Sequence, residues 1–515
     1  MDKKRSVLNV TVSIISHILL LISALFVRRF LIQYIGNGVN GLNSLYANII
    51  GLLAVAELGI GSAITYSMYK PIVENNKRQI SALYGLYTKV YRVVGIVVFF
   101  AGIAVIPFLP RIINDYEIIN VNVYLTFFLT LVAVVISYFY SAKTAIIEAY
   151  KNNYVTAIIL TISKLIRYGL QIGAILIWRS FVFFLICQII ETVIVWILTE
   201  VVVRKKYGEI ISRKETLDKK TQNVITRNVK AMFMHEVGIV MVKTVDSLII
   251  SGFIGVVILG KYNNYTQIAA VITGVIALFF RPLTSVVGHL CAGKNNDEKQ
   301  KWFGRFYCLN YALGFFFLLG YFAVIDEVVE LLFGPGLQMS QSISYIITLN
   351  TFTQYMRNSL LLFRNASGSY YYDRWKPITE GFINLILSLL FVTVFPEEYK
   401  VVGVIVATII TTLTICNTVE PYVVFHHVFS QSPKRFYIRH YAYTGIFIVS
   451  LFLMNSLKQS YDSQVKCVLV NGFISVGLSL TVLCLLSFTD KGFRSEISLI
   501  IRKVASWIGN KRIQM

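Results

Sequence analysis

Fourteen apolar runs, each close to the length of a bilayer crossing, govern what this chain can fold into. They lie at about 7–32, 43–68, 86–109, 121–142, 154–178 and 181–203, then at 231–253, 262–287, 304–325, 342–363, 377–395, 401–425, 441–457 and 465–487. A helix crosses a membrane's hydrocarbon core in about 20 apolar residues. The runs are continuous rather than alternating, which fits helices and not the strands of a barrel. Of the 515 residues, 56% are apolar and only 14% charged, against roughly 25% charged in a soluble domain. A soluble enzyme, a disordered chain, a disulfide-stapled secreted domain and a single-pass receptor are excluded. The sequence predicts an all-α integral membrane protein of about fourteen transmembrane helices.

The net charge of +22 would suit a nucleic-acid partner if it were spread over one surface. It is not. Of the 48 lysines and arginines, 35 fall on alternate loops and the adjoining turns of spans, counting from the N-terminus. Only Arg111, Arg179, Lys261, Lys400, Lys458 and Lys466 occupy the opposite loops. Basic loops stay in the cytoplasm, so both termini are expected there and nucleic acid is set aside. Lys3, Lys4 and Arg5 precede a run too long for a signal-peptide core, with no small-residue cleavage site after it. It reads as a retained first span.

The longest basic loop, 204–230, follows the sixth span and divides the chain. Ile35-Gly36-x4-Gly41-x4-Tyr46 recurs as Ile254-Gly255-x4-Gly260-x4-Tyr265, and each copy bridges the first two spans of its half. A duplicated six-span bundle is expected: an N-lobe at 1–203, a cytoplasmic linker at 204–230 and a C-lobe at 231–425. Six is even, so the lobes face the same way about a pseudo-twofold along the membrane normal. Two further helices and a tail make up 426–515. In the tail, Phe493, Ile497, Ile500, Ile501, Val504 and Ile508 share helical spacing, as in an amphipathic helix on the inner leaflet. A helix packed against inner loops fits equally.

No phosphate-binding loop, nucleophile elbow or zinc-protease motif occurs, so neither ATP hydrolysis nor soluble-enzyme chemistry is expected. The six cysteines are scattered and read as small apolar side chains. The pair His426-His427 lies at a helix end and reads as interfacial rather than as a metal site. No cofactor is expected.

Charges inside spans carry more information, because each costs about 2.5–3.5 kcal/mol on insertion scales when it faces lipid at mid-depth. The cations are Arg28, Arg29, Lys164, Arg167, Lys243, Arg281 and Arg357, set against the anions Glu57, Glu191 and Asp246. This balance leaves four positive charges in excess. A cavity so lined favours an anionic ligand, and phosphate suits arginine's fork. Each residue also has a plainer reading. Arg28, Arg29, Arg281 and Arg357 lie near span ends, where they can reach headgroups. Lys243 and Asp246 are one turn apart and can pair. Glu57 is either a helix-packing carboxylate or an ion-coupling group. Lys164 and Arg167 stand one turn apart near mid-membrane, too deep for the lysine to snorkel. They hold a diphosphate or pair with Glu57 or Glu191 on another helix. The 31 tyrosines exceed what interfacial belts need and suit a sugar-facing cavity.

The segment Glu57-Leu58-Gly59-Ile60-Gly61-Ser62-Ala63 with Tyr69-Lys70-Pro71 resembles the early signature of bacterial polysaccharide repeat-unit flippases, within the multidrug/oligosaccharidyl-lipid/polysaccharide exporter superfamily. Asp246, Gly260, Tyr262-Asn263-Asn264-Tyr265 and Gly288-His289-Leu290 resemble its second-lobe pattern. So do Arg364, Gly368, Asp373-Arg374, Pro377, Glu380, Asn384 and Ser388. The resemblance implies alternating access around a central cavity in the bacterial cytoplasmic membrane. It implies a polyprenyl-diphosphate-linked oligosaccharide as cargo, and other polysaccharide-assembly membrane proteins as partners. The last two spans are similar to the lipid-tail-binding pair of lipid-linked precursor flippases. A cation-coupled multidrug exporter of the same fold is the alternative, although a basic cavity suits cationic drugs poorly. A membrane polymerase or glycosyltransferase is less compatible, because the outer loops are short.

Overall fold

The computed structural model describes residues 3–57, 60–114, 116–213, 215–217, 237, 240–242, 244–280, 287–288, 290–291, 296–496 and 498. Among them there are helices, turns and loops and no strand. Without water, backbone groups in the hydrocarbon core must bond within their own segment, and a helix does this for every residue past its ends. Ten helical segments among the described residues are long and apolar enough to cross a membrane. Every one of the fourteen predicted runs contains described residues that are helical. This is an all-α, multi-pass membrane protein.

The chain splits into two compact units, 1–263 with 377–392 and 264–376 with 393–515. In the first lie α1 (Lys3–Tyr34), α2 (Asn37–Leu53), α3 (Ile60–Val73), α4 (Lys77–Val105), α5 (Val123–Ala149), α6 (Asn153–Trp178) and α7 (Phe181–Ile211). Helix α5 packs on α4 and α7, while α6 packs on α1 and α7. Asn76 and Asn122 start α4 and α5 by accepting bonds from the amides of Gln79 and Leu125, which satisfies N–H groups that have no partner in the first turn. The second predicted run is broken by a 3-10 turn at Ala54–Glu57, so α2 and α3 together make that crossing. Gly36 and Gly255 hold φ values of 120° and 137°, a region that L side chains avoid. The repeated Ile-Gly therefore marks the corner at which each copy turns into its next helix, α2 or α8 (Val256–Phe280).

The second unit is built on α9 (Asn296–Phe333), with α10 (Gln341–Met356), α11 (Asn358–Ala366), α13 (Lys400–Thr411), α14 (Asn417–His427), α15 (Lys434–Leu457) and α16 (Gln464–Thr489). The intervening α12 (Lys376–Val394) lies almost wholly in the first unit. Helix α9 packs against α10, α15 and α16. Five π-wound residues, Thr412–Cys416, separate α13 from α14. Pro421 within α14 has no N–H for the carbonyl of Asn417 and crowds it, and the widened turn ends at that point. Phe352 and Phe447 stack at 3.8 Å, and Phe303 contacts Phe363, Phe425, Phe429 and Phe436.

The first turns of the tail dock on this unit. Phe493 is 1% exposed, lies against Tyr311 and Tyr443, and Glu496 pairs with Arg305 at 3.0 Å. Residues 490–496 thus pack on helices α9 and α15, and not on the inner loops that the alternative had named. Ile497, Ile500, Ile501, Val504 and Ile508 lie outside the described residues.

Candidate functional site

Each unit carries its own set of intramembrane charges. In the first, Arg167 Nη1 on α6 meets Glu191 Oε2 on α7 at 2.7 Å, with both side chains largely buried. The guanidinium also lies 4.8 Å from the Tyr168 ring. A neighbouring carboxylate therefore neutralises Arg167, the alternative that its position had left open. Lys164 is different. It is half-buried and makes no hydrogen bond or ion pair among the described residues. Ile158, Ile162, Ile166 and Leu170 form an exposed apolar stripe along α6, each 41–48% accessible. At about 100° per residue, Lys164 points about 160° away from Ile162 and Ile166. Its ammonium is directed away from the face that greets lipid.

Glu57 lies on the 3-10 turn, within electrostatic reach of Tyr91 of α4 and Tyr138 of α5. Tyr87 stacks on Tyr91 at 4.5 Å. A Cβ on Gly61 would strike the Tyr91 and Tyr87 hydroxyls. The glycine makes room for a tyrosine cage around the acid, beyond any close helix contact. Asp246 is buried within electrostatic reach of Tyr262. Arg28 is half-buried and Arg29 exposed near the end of α1. Lys243 and Arg281 lie outside the described residues.

In the second unit Arg357 does not act alone. Its Nη2 and Nε reach the two oxygens of Glu420 at 2.7 and 3.1 Å. Lys376 Nζ shares Oε1 at 2.6 Å, and Glu420 is fully buried. Nearby in sequence, Arg364 pairs with buried Asp373 at 2.6 Å. Asp326 takes bonds from Tyr265 and Ser344 at 2.8 and 2.6 Å. Glu420 and Glu380 lie inside predicted spans and were missing from the charge balance. Glu200 and Glu236 also lie inside predicted spans, so counting the omitted acids lowers the apparent cation excess, and the signal was simply an acid within an apolar run. The tyrosine surplus is also partly structural, since Tyr46, Tyr265, Tyr307 and Tyr311 are all fully buried. His427 stacks on Tyr372 at 3.7 Å and His426 on Tyr422.

No sequence family and no curated protein matches the chain by sequence. Solved structures do match by fold. The lipid II flippase MurJ, in an inward closed conformation, superposes with a TM-score of 0.63 at 13% identity, covering 96% of this chain and 99% of that one. An inward-facing multidrug resistance MATE transporter of the MOP superfamily gives 0.57 at 11% identity, over 78% of this chain and 94% of its own. The chain has the fold of the MOP-superfamily transporters. A Vibrio cholerae MATE transporter gives 0.53 at 11% identity, over 82% of this chain and 100% of its own.

Proposed function

We propose that this protein is a flippase for a polyprenyl-diphosphate-linked oligosaccharide, carried from the inner to the outer leaflet by alternating access of two six-helix lobes, 1–203 and 231–425. The observation that carries this reading is the extent of the likeness to the lipid II flippase, 96% of this chain against 78–82% for the MATE transporters quoted above. A lipid-linked cargo fits a chain whose helices beyond the exporter-sized part match a flippase as well. Lys164 supports it, because an ammonium at mid-membrane with no ion pair among the described residues calls for an anion. With Arg167 and Arg357 held by carboxylates, Lys164 is the leading contact for the diphosphate, followed by Arg28 and Arg29. Lys243 and Arg281 stay in the proposed set on sequence grounds. Glu57 in its tyrosine cage is the leading candidate for ion coupling, with Asp246 next, while Glu191 is committed to Arg167. The role is transport rather than catalysis, in a bacterial cytoplasmic membrane with both termini inside.

The experiment is deletion of the gene followed by assignment of lipid-linked repeat units to a leaflet. Intact units trapped on the inner leaflet are expected. Single units accumulating on the outer leaflet would instead mark a polymerase. Unchanged glycolipid with lost drug resistance would mark the exporter, the reading that the MATE-like fold favours.

A further inference from the structure

A cavity of about 900 Å3 opens between α4, α5 and α7, where α4 begins and α7 ends. Lys89, Arg92, Lys143 and Arg213 line it against Glu200 and Glu215. Both acids are already engaged. Glu200 holds Lys143 and Arg204, each at 2.5 Å, and Glu215 holds Arg78 at 3.1 Å. Lys89 and Arg92 make no ion pair among the described residues, so the cavity keeps a positive surplus. Ile211, Arg213, Glu215, Thr216 and Leu217 line one side of it, with Ser81 Oγ donating to the Arg213 carbonyl at 2.5 Å.

The wall continues as an apolar track. From Arg92 the same face of α4 runs through Val93, Ile96, Val97 and Phe100, all at least half-exposed. Across from it Phe139 stacks on Trp196 at 5.8 Å, both exposed to about 40%. Cations at one end of a helix face and exposed hydrocarbon along the rest match a molecule with a charged head and an acyl tail. We propose that this cavity binds the phosphate headgroup of an anionic phospholipid, with Lys89 and Arg92 on the phosphate and an acyl chain along Val93–Phe100. A soluble phosphate would share the headgroup chemistry but would have no use for the track. The proposed topology puts the site in the inner leaflet. It is read from the first unit alone and is independent of the transported cargo, so either proposal can fail while the other stands.

The test uses the purified full-length protein in detergent, with bound lipid counted by native mass spectrometry. The wild type should retain phosphatidylglycerol in preference to phosphatidylcholine. Lys89→Gln with Arg92→Gln should weaken that retention about thirtyfold with no change in melting temperature in the absence of lipid. Gly85 lines the cavity and has nothing within 4 Å of where its Cβ would lie. Gly85→Leu should therefore fill the site without touching a charge and cause the same loss, and it decides the matter if the charge variant does not fold. Glycerol 3-phosphate at millimolar concentration should not displace the lipid. Unchanged retention by the folded variants, or glycerol 3-phosphate competing as well as the lipid does, overturns the proposal.

Discussion

Gly41 and Gly260, at equivalent places in the two copies of the repeat, lie back to back. A Cβ on Gly41 would sit 3.0 Å from the Gly260 nitrogen and would collide with the Val256 carbonyl, while one on Gly260 would collide with the Asn37 carbonyl. Asn37 and Asn40 bond the carbonyls of Val257 and Gly260 across this crossing, at 2.9 and 3.3 Å. Helices in lipid gain little from apolar contact alone, so small residues that bring backbones together carry much of their association. The repeated Gly-x4-Gly is thus one glycine for a corner and one for a crossing.

The crossing predicts a graded mutational response. Gly41→Ala and Gly260→Ala each force backbone apart and should destabilise by at least about 1–3 kcal/mol, the usual cost of overpacking. Gly173→Ala in α6 meets open space and should be neutral or slightly stabilising, since alanine is the better helix former. Melting temperatures of the three purified variants decide this. Equal values would mean that the close approach carries no load.

On α6 two cations three residues apart should behave in opposite ways. Arg167→Ala strands the Glu191 carboxylate, a loss of about 3–5 kcal/mol for a broken buried pair. Arg167→Ala with Glu191→Ala should recover most of the protein lost. Lys164→Ala breaks no pair among the described residues, so protein levels should hold while transport falls, by about tenfold or more for a lost charge-assisted phosphate contact. Quantified membrane protein alongside flux separates the two responses. Normal flux in Lys164→Ala would remove it from the substrate path.

Continuous apolar runs made the helices legible, because an apolar stretch of bilayer length has little choice but to be one. Breaks inside runs were not legible. The turn at Ala54–Glu57 and the π winding before Pro421 arise from tertiary packing and local carbonyl crowding rather than from hydropathy. Arginines and lysines inside apolar runs are legible as intramembrane charges, but their partners depend on which helices touch. Arg167 with Glu191 was one of two pairings that the sequence allowed. Arg357 with Glu420 was missed through the omission of an acid in the same predicted run as Pro421. The repeat was legible as a pattern, and only the structure gave its two glycines different jobs.

Glu420 is the hinge of the second unit's buried charges, accepting from both Arg357 and Lys376. Glu420→Gln would remove the carboxylate that Arg357 and Lys376 share and should sharply lower accumulation of the protein, by the same reasoning that makes a half-broken buried pair cost about 3–5 kcal/mol. Arg357→Gln keeps the Lys376 contact and should be milder. Lys376→Met, which removes the second cation, should partly rescue Glu420→Gln. Immunoblots of membrane fractions read all three, and equal levels for Glu420→Gln and wild type would refute a structural role for the acid.

Asp490, just past α16, ties the tail to the second unit and gives that docking a pH dependence. Burial alone would raise its pKa above the ordinary 3.8, but the bonds it accepts from Tyr443 and the Phe493 amide, with the Arg439 charge beside it, hold it below that value. The contacts are 2.7 Å from Tyr443, 3.0 Å from the Phe493 nitrogen and 2.9 Å from Arg439. A carboxylate whose folded pKa lies below its unfolded one stabilises the docked state above the unfolded value. It loses that contribution as pH falls through the folded value. Hydrogen exchange in residues 490–496 should therefore be flat from neutrality down to about pH 4, once corrected for the intrinsic rate, and should rise below it. Asp490→Asn lacks the charge at every pH, so its tail should exchange faster already at pH 7 and show no further acid step. A wild-type tail that loosens equally at pH 7 and below pH 4, or an Asn variant indistinguishable from it, would mean that Phe493 and Glu496 hold the tail without Asp490.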